Sequence, residues 1–230
     1  MSKQRKKIKH LPERVALLCA GIVVTAFGVA FSIKAALGTS PISAVPTVTS
    51  AISGLSVGVT TIILNFLFVV IQIALLRKSY QWIQVLQLLI ACLFGLMIDV
   101  AEIAIESISY SSYWEQWLWC FVGIIFLAAG VSMQVTADLI PNAGEGIVLA
   151  TCRVTRFPFG NVKIAFDVTL VVLAIILSLV FLGRLEGVRE GTIVAAFLVG
   201  LFAKQANKLL GKLSDRYVGW KNGRQRGQTA

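Results

Sequence analysis

Asp167 is the residue in this chain that most needs a chemical reason. It stands in a run, 159–183, that holds more than a dozen Val, Leu, Ile and Phe residues. An acid at the centre of a membrane helix opposes insertion by roughly 3 kcal/mol, while each such apolar residue contributes about −0.3 to −0.6. The run therefore inserts, with its carboxylate turned to a bundle interior or a cavity. About eight residues into the span it sits roughly 12 Å deep, close to midplane. Two chemistries suit that place. Asp167 either contacts a substrate or carries a proton, or it makes an interhelical hydrogen bond that ties elements together.

An offset of 102 residues relates Asp167 to Asn65, which lies equally deep in an earlier apolar run. The same offset superposes two uncharged or weakly charged polar stretches, Leu37–Gly58 (LGTSPISAVPTVTSAISGLSVG) and Leu139–Gly160 (LIPNAGEGIVLATCRVTRFPFG). Gly160 falls on Gly58, Thr151 on Thr49 and Asn142 on Ser40. In the first stretch Ser40 is a plausible N-cap with Pro41 at the first helical position, and Ser43 follows in the first turn. Pro46 argues against a straight continuous helix there. The second stretch opens on PNAGEG and carries Glu145, Arg153 and Arg156, with Glu145 and Arg156 placed on one face of a short helix. Free N–H groups at a helix start suit an anionic group. The candidate substrate contacts are thus Asp167, Asn65, Glu145, Asn142, Ser40, Ser43 and Arg153. The competing reading is a pair of capped helices lying on the membrane surface.

These residues need a scaffold, and composition says which. The chain has 230 residues, 57% hydrophobic and 14% charged, with a mean hydropathy of +0.83. A soluble domain carries nearer a quarter charged residues. Six runs, at 15–37, 57–77, 83–105, 117–139, 159–183 and 190–210, are each long enough to cross about 30 Å of hydrocarbon. The alternation of a barrel is missing, so the spans are helices. The expected fold is an all-α polytopic membrane protein between a basic tail at 1–14 and a second at 212–230.

Lys and Arg set the orientation. With the N-terminus inside, only Lys34, Arg184 and Arg189 of the 21 basic residues face outward, and both termini are cytoplasmic. The net charge of +10 is then a topology signal with affinity for anionic lipid, not for nucleic acid. Lys34, Asp138 and Lys204 near span ends read as snorkelling groups, and Asp99 with Glu102 as an acidic vestibule or solvated ends. Trp82, Trp114, Trp117, Trp119, Tyr110 and Tyr113 read as interfacial belts. Gly183, Gly187 and Gly191 read as a turn.

Further matches repeat the halves. Gly21 falls on Gly123, Ala26 on Ala128 and Gly28 on Gly130 at the offset of 102, and Gly95 on Gly200 at 105. Three spans per half is an odd number, so the expectation is two inverted three-helix repeats, each with a short half helix after its first span. Enzyme chemistry is not expected. The single histidine, His10, lies in the basic tail, and HExxH, GxSxG and phosphate-loop patterns are missing, so a Ser or Cys nucleophile has no imidazole base. Cys19, Cys92, Cys120 and Cys152 form no metal pattern and read as packing residues. Neither a metal nor a cofactor is expected.

The segments LGTSPISAVPTV, SVG before Asn65 and GEGIVLATCRVTRFPFGNVKIAFDV resemble the YczE/YyaS/YitT group of bacterial integral membrane proteins. The likeness runs from Val15 to Gly211 and rests on the Gly38-Thr39-Ser40-Pro41 opening and the spacing of Gly160 and Asp167. Relatives like YitT add a soluble C-terminal domain, whereas this chain ends in a short basic tail, as the YczE-like branch does. The resemblance implies the bacterial inner membrane and names no activity. The functional expectation is a secondary transporter or exporter of a small solute, its partners being the bilayer and that solute. The alternative is a non-transporting accessory protein that works through a protein partner, with a homodimer also open.

Overall fold

The structure, a computed structural model, describes residues 10–77, 80 and 82–217, all in helices and the turns between them. The basic residues Lys3, Arg5, Lys6, Lys7, Lys9 and Lys78 and the tail beyond Tyr217 lie outside the described residues, as do the side chains of Trp82 and Lys204. Among the described residues eight α-helices follow in order: α1 (Leu11–Lys34), α2 (Pro41–Ser53), α3 (Val57–Leu76), α4 (Leu86–Ala104, preceded by a 3-10 turn, Trp82–Val85), α5 (Tyr113–Ala137), α6 (Ala143–Thr155), α7 (Phe159–Leu177, continued by a π turn, Ser178–Leu182) and α8 (Glu190–Tyr217). Five of them, α1, α3, α4, α5 and α7 with its π turn, are long and apolar enough to cross a membrane, and α8 opens on a shorter apolar stretch, Glu190–Ala203. This is a helical protein of multi-pass character.

Local chemistry explains most helix ends. Ser56 and Ser112 accept from the backbone N–H of Val59 and Glu115 and so cap α3 and α5. Asn142 caps α6 through Ala143 N–H. Ser40 precedes α2 as expected, but its hydroxyl bonds the hydroxyl of Ser43 at 3.0 Å instead of a backbone N–H. α1 begins at Leu11, four residues before its expected start, with Pro12 in its first turn, and α5 begins at Tyr113 because Ser112 caps it there. Pro46 does not break α2, which runs continuously through it. The lost N–H would have met the carbonyl of Ile42 in the first turns, and the helix keeps its remaining bonds. Gly183 and Gly187 take positive φ, forming the turn before α8.

The helices form two layers. In one, α1 crosses α5 closely, with α4 and α8 flanking the pair, around a core of Ile22, Ala26, Val29, Phe94, Ile98 and Leu127. In the other, α2 packs on α7 and α3, and α6 on α3 and α7, around Ala44, Val48, Phe68, Ile147, Val148 and Leu170. α2 and α6 are thus packed into the bundle, each with about half of its residues buried. Of the four cysteines only Cys120 is buried; Cys19 and Cys92 are exposed on the bundle's outer face, so packing does not account for them.

One end of the bundle is tied by Lys34 Nζ donating to Glu106 O at 2.9 Å and Arg189 Nη1 to Ala36 O at 2.9 Å. The other is tied by Arg14 Nη1 donating to Ala137 O at 3.3 Å.

Candidate functional site

A cavity of about 400 Å³ lies between the layers. Most of its polar wall is built from four elements. α2 contributes Ser43 with Ser40 preceding it, α6 contributes Glu145 with its cap Asn142, α3 contributes Thr61 and Asn65, and α7 contributes Lys163 and Asp167. The offset of 102 pairs every one of these eight: Ser40 with Asn142, Ser43 with Glu145, Thr61 with Lys163, Asn65 with Asp167. Val29, Leu64, Phe68, Phe94, Leu127 and Val131 supply apolar surface. The site therefore has a polar ring on an apolar bed, the usual make-up of a small-molecule pocket.

Asn65 is the most buried member of the ring, 5% exposed. Its Nδ2 donates to Thr61 O at 2.8 Å, while its Oδ1 has no partner among the described residues. A buried acceptor left open costs about 1–3 kcal/mol, which singles out this oxygen within the ring. One turn apart on α7, Lys163 Nζ and Asp167 Oδ1 form a close ion pair that is only half-buried. Lys163 also stands 5.8 Å from the centre of the Phe166 ring. The same spacing of four residues recurs in both helices, with a neutral pair on α3 and an ion pair on α7.

Six of the seven candidate residues line the cavity: Asp167, Asn65, Glu145, Asn142, Ser40 and Ser43. Arg153 does not. It lies ten residues beyond the start of α6 and is exposed, and Arg156 caps the helix in a left-handed conformation instead of continuing the face of Glu145. Both point away because a helix of 13 residues has turned its far end out of the cavity.

Five polar lining residues, Thr61, Lys163, Asp138, Gln134 and Thr25, were not among the expected contacts. Lys163 could have been found as the symmetry mate of Thr61, or as a lysine four residues before Asp167. Asp138 was expected at an interface; it faces the cavity, with Arg14 Nη1 at 3.9 Å. Gln134 and Thr25 join α5 to α1 through an Nε2–H···Oγ1 bond of 2.7 Å, and Thr25 Oγ1 donates to Gly21 O at 2.7 Å. Nothing in their spacing marks them, since they meet only through the helix crossing.

Among the described residues, no group of three or more His, Cys, Asp and Glu side chains is placed to hold a metal ion. No curated protein and no solved structure matches the chain. Residues 12–208, nearly the whole helical bundle and all of the cavity's walls, match the model of a family of unknown function, DUF6198, and the chain belongs to that family.

Proposed function

We propose that this protein is a secondary transporter or exporter of a small solute, built from two inverted three-helix repeats, with its site in the cavity between the layers. The single observation that carries the reading is the paired polar ring. α2 and α6 begin at the cavity, and Asn65, whose Oδ1 has no partner among the described residues, lines it from inside a helix of membrane length. Discontinuous helices that start at midplane and a polar ring shared by two repeats are the usual form of a transporter site. In this reading α8 is the sixth span: at 28 residues and about 1.5 Å each it is long enough, although its apolar part is shorter. Both termini are then cytoplasmic, in the inner membrane of a bacterium, and the likeness to the YczE-like group agrees with that place.

The solute is small and amphipathic. Its donor group bonds Asn65 Oδ1, and its negatively polarised end lies near the first N–H groups of α2 and α6, at Ile42 and Gly144, which have no acceptor within their helices. Its apolar part rests on Leu64, Phe68 and Phe94. Asp167 exchanges a proton or a substrate ammonium while Lys163 holds it in place.

The test is uptake into liposomes under a pH gradient, across a panel of amphipathic metabolites chosen from profiles of a deletion strain. Wild-type protein moves at least one of them, and Asp167→Asn inserts normally but loses coupling to the gradient. Wild-type coupling in that variant removes the proton role. A protein that moves nothing across the panel yet co-purifies with one partner is an accessory protein instead.

A further inference from the structure

The two halves differ in packing where the third long helix of each half meets the second. On one side, α3 and α4 are sealed by Gly58 and Gly95. A Cβ on Gly58 would lie 2.1 Å from Gly95 O, and one on Gly95 would lie 2.5 Å from Gly58 O. Asp99 closes the same seam: its Oδ1 accepts from Gly58 N–H and its Oδ2 from Ser56 Oγ–H, both at 2.8 Å. The corresponding helices, α7 and α8, barely touch. Their glycines at the equivalent positions, Gly160 and Gly200, have nothing within 4 Å of a Cβ. Only Leu170 and Ala174 of α7 are buried. The cavity reaches into that gap, lined there by Lys163, Ile164, Ala196, Val199 and Gly200.

Glycine pairs that let two backbones meet are a recurring way for membrane helices to close on each other. Here one such pair is engaged and its counterpart is free. Resting on the inverted-repeat reading of the transporter, we propose that the α3–α4 and α7–α8 seams are alternating gates. Gly160 closes on Gly200 as Gly58 parts from Gly95, and Asp99 is the latch that holds the present state. The latch has no twin. At the repeat offsets Asp99 corresponds to Lys204 and Ser56 to Pro158, so only the α3–α4 gate is bonded shut through a carboxylate. The resting protein therefore exposes its site at the Lys163 end, the cytoplasmic end in the orientation given above.

Ser43→Cys, placed in a protein whose four native cysteines are replaced, reports access to the cavity. A membrane-impermeant maleimide is applied from each face of oriented vesicles. The protein with an intact latch labels from the Lys163 face only. Asp99→Ala raises labelling from the opposite face at least several-fold and lowers it from the first. Adding Gly160→Leu, which has room in the present state but cannot meet Gly200, cancels that shift.

Should a latch variant fold poorly, the pair Ser56→Cys and Asp99→Cys, joined by a bifunctional thiol reagent, locks the gate in the folded protein. The lock stops uptake until the link is cleaved. Labelling from one face that Asp99→Ala leaves unchanged overturns the proposal, and so does full uptake by the joined protein. Access is read without a solute, so labelling that alternates in a protein that moves nothing would refute transport and keep the gates. Uptake with labelling fixed on one face would do the reverse.

Discussion

Gly21 of α1 lies against Gly130 of α5: a Cβ on Gly21 would stand 3.0 Å from Gly130 O, and one on Gly130 would stand 2.8 Å from Gly21 O. The offset of 102 carries this contact onto Gly123 and Gly28, which also meet, at 3.0 Å in each direction. The crossing is thus its own image under exchange of the halves. It also makes a stability prediction. Gly130→Ala would bring a methyl to 2.2 Å from Thr25 Oγ1 and 2.6 Å from its amide nitrogen, and Gly28→Ala would bring one to 2.6 Å from the amide of Leu127. Overpacking of this kind costs about 1–3 kcal/mol. Each variant lowers the melting temperature of detergent-purified protein, whereas Gly200→Ala, in open space, leaves it unchanged or raises it.

Asn65 is the second test. Its amide oxygen is the ring's one unoccupied, deeply buried acceptor among the described residues. Removing a neutral hydrogen bond of about 1 kcal/mol weakens binding roughly fivefold. Asn65→Leu therefore raises the half-saturating solute concentration by about that factor, with unchanged insertion. Asn65→Asp keeps the acceptor and binds better than the leucine variant. If the two variants behave alike, the open oxygen is not a contact.

Much of this was legible in the residues themselves. Apolar length located the long helices, and the 102-residue offset located most of the cavity's ring, because positions related by that offset meet at the same cavity. Arg153 was misplaced because charge near a Gly-rich start says nothing about how a short helix turns. Thr25 and Gln134 were missed for the opposite reason: they are adjacent only through the α1–α5 crossing, with 109 residues between them. Asp99 read as part of an acidic vestibule or as a solvated end because its acceptor role depends on α3 beginning beside it, which no local pattern records.

Gln87 offers a third test, away from the site. It is fully buried on α4, and both its Oε1 and Nε2 are without a partner among the described residues. Gln72 of α3 is equally buried, with its Nε2 donating to Ala143 O at 3.1 Å and its Oε1 unpartnered. A Cβ on Gly146 would meet Gln72 Oε1 at 2.6 Å and Gln87 Nε2 at 2.9 Å, so α6 presses on both amides. Unpaired buried amide groups cost about 1–3 kcal/mol. Gln87→Met keeps the length and removes the polar atoms, and it raises the melting temperature. A fall instead would mean that water bridges the two amides.

Arg156 closes α6 with φ 62° and ψ 13°, and its mate at the offset of 102, Gly54, closes α2 with φ 72° and ψ 4°. The two half helices end in the same left-handed turn, yet only one uses the residue suited to it. A side chain in this conformation costs about 1–2 kcal/mol, and glycine returns about 0.5–1 of that through the greater freedom of its unfolded chain. Arg156→Gly is therefore stabilising by roughly 0.5–1 kcal/mol, read as a rise in melting temperature. Arg156→Ala separates backbone from charge: it removes the exposed guanidinium but keeps the strained φ, and the melting temperature does not rise. Gly54→Ala imposes on α2 the strain that Arg156 imposes on α6 and lowers it. Equal shifts for Arg156→Gly and Arg156→Ala would assign the effect to the lost charge.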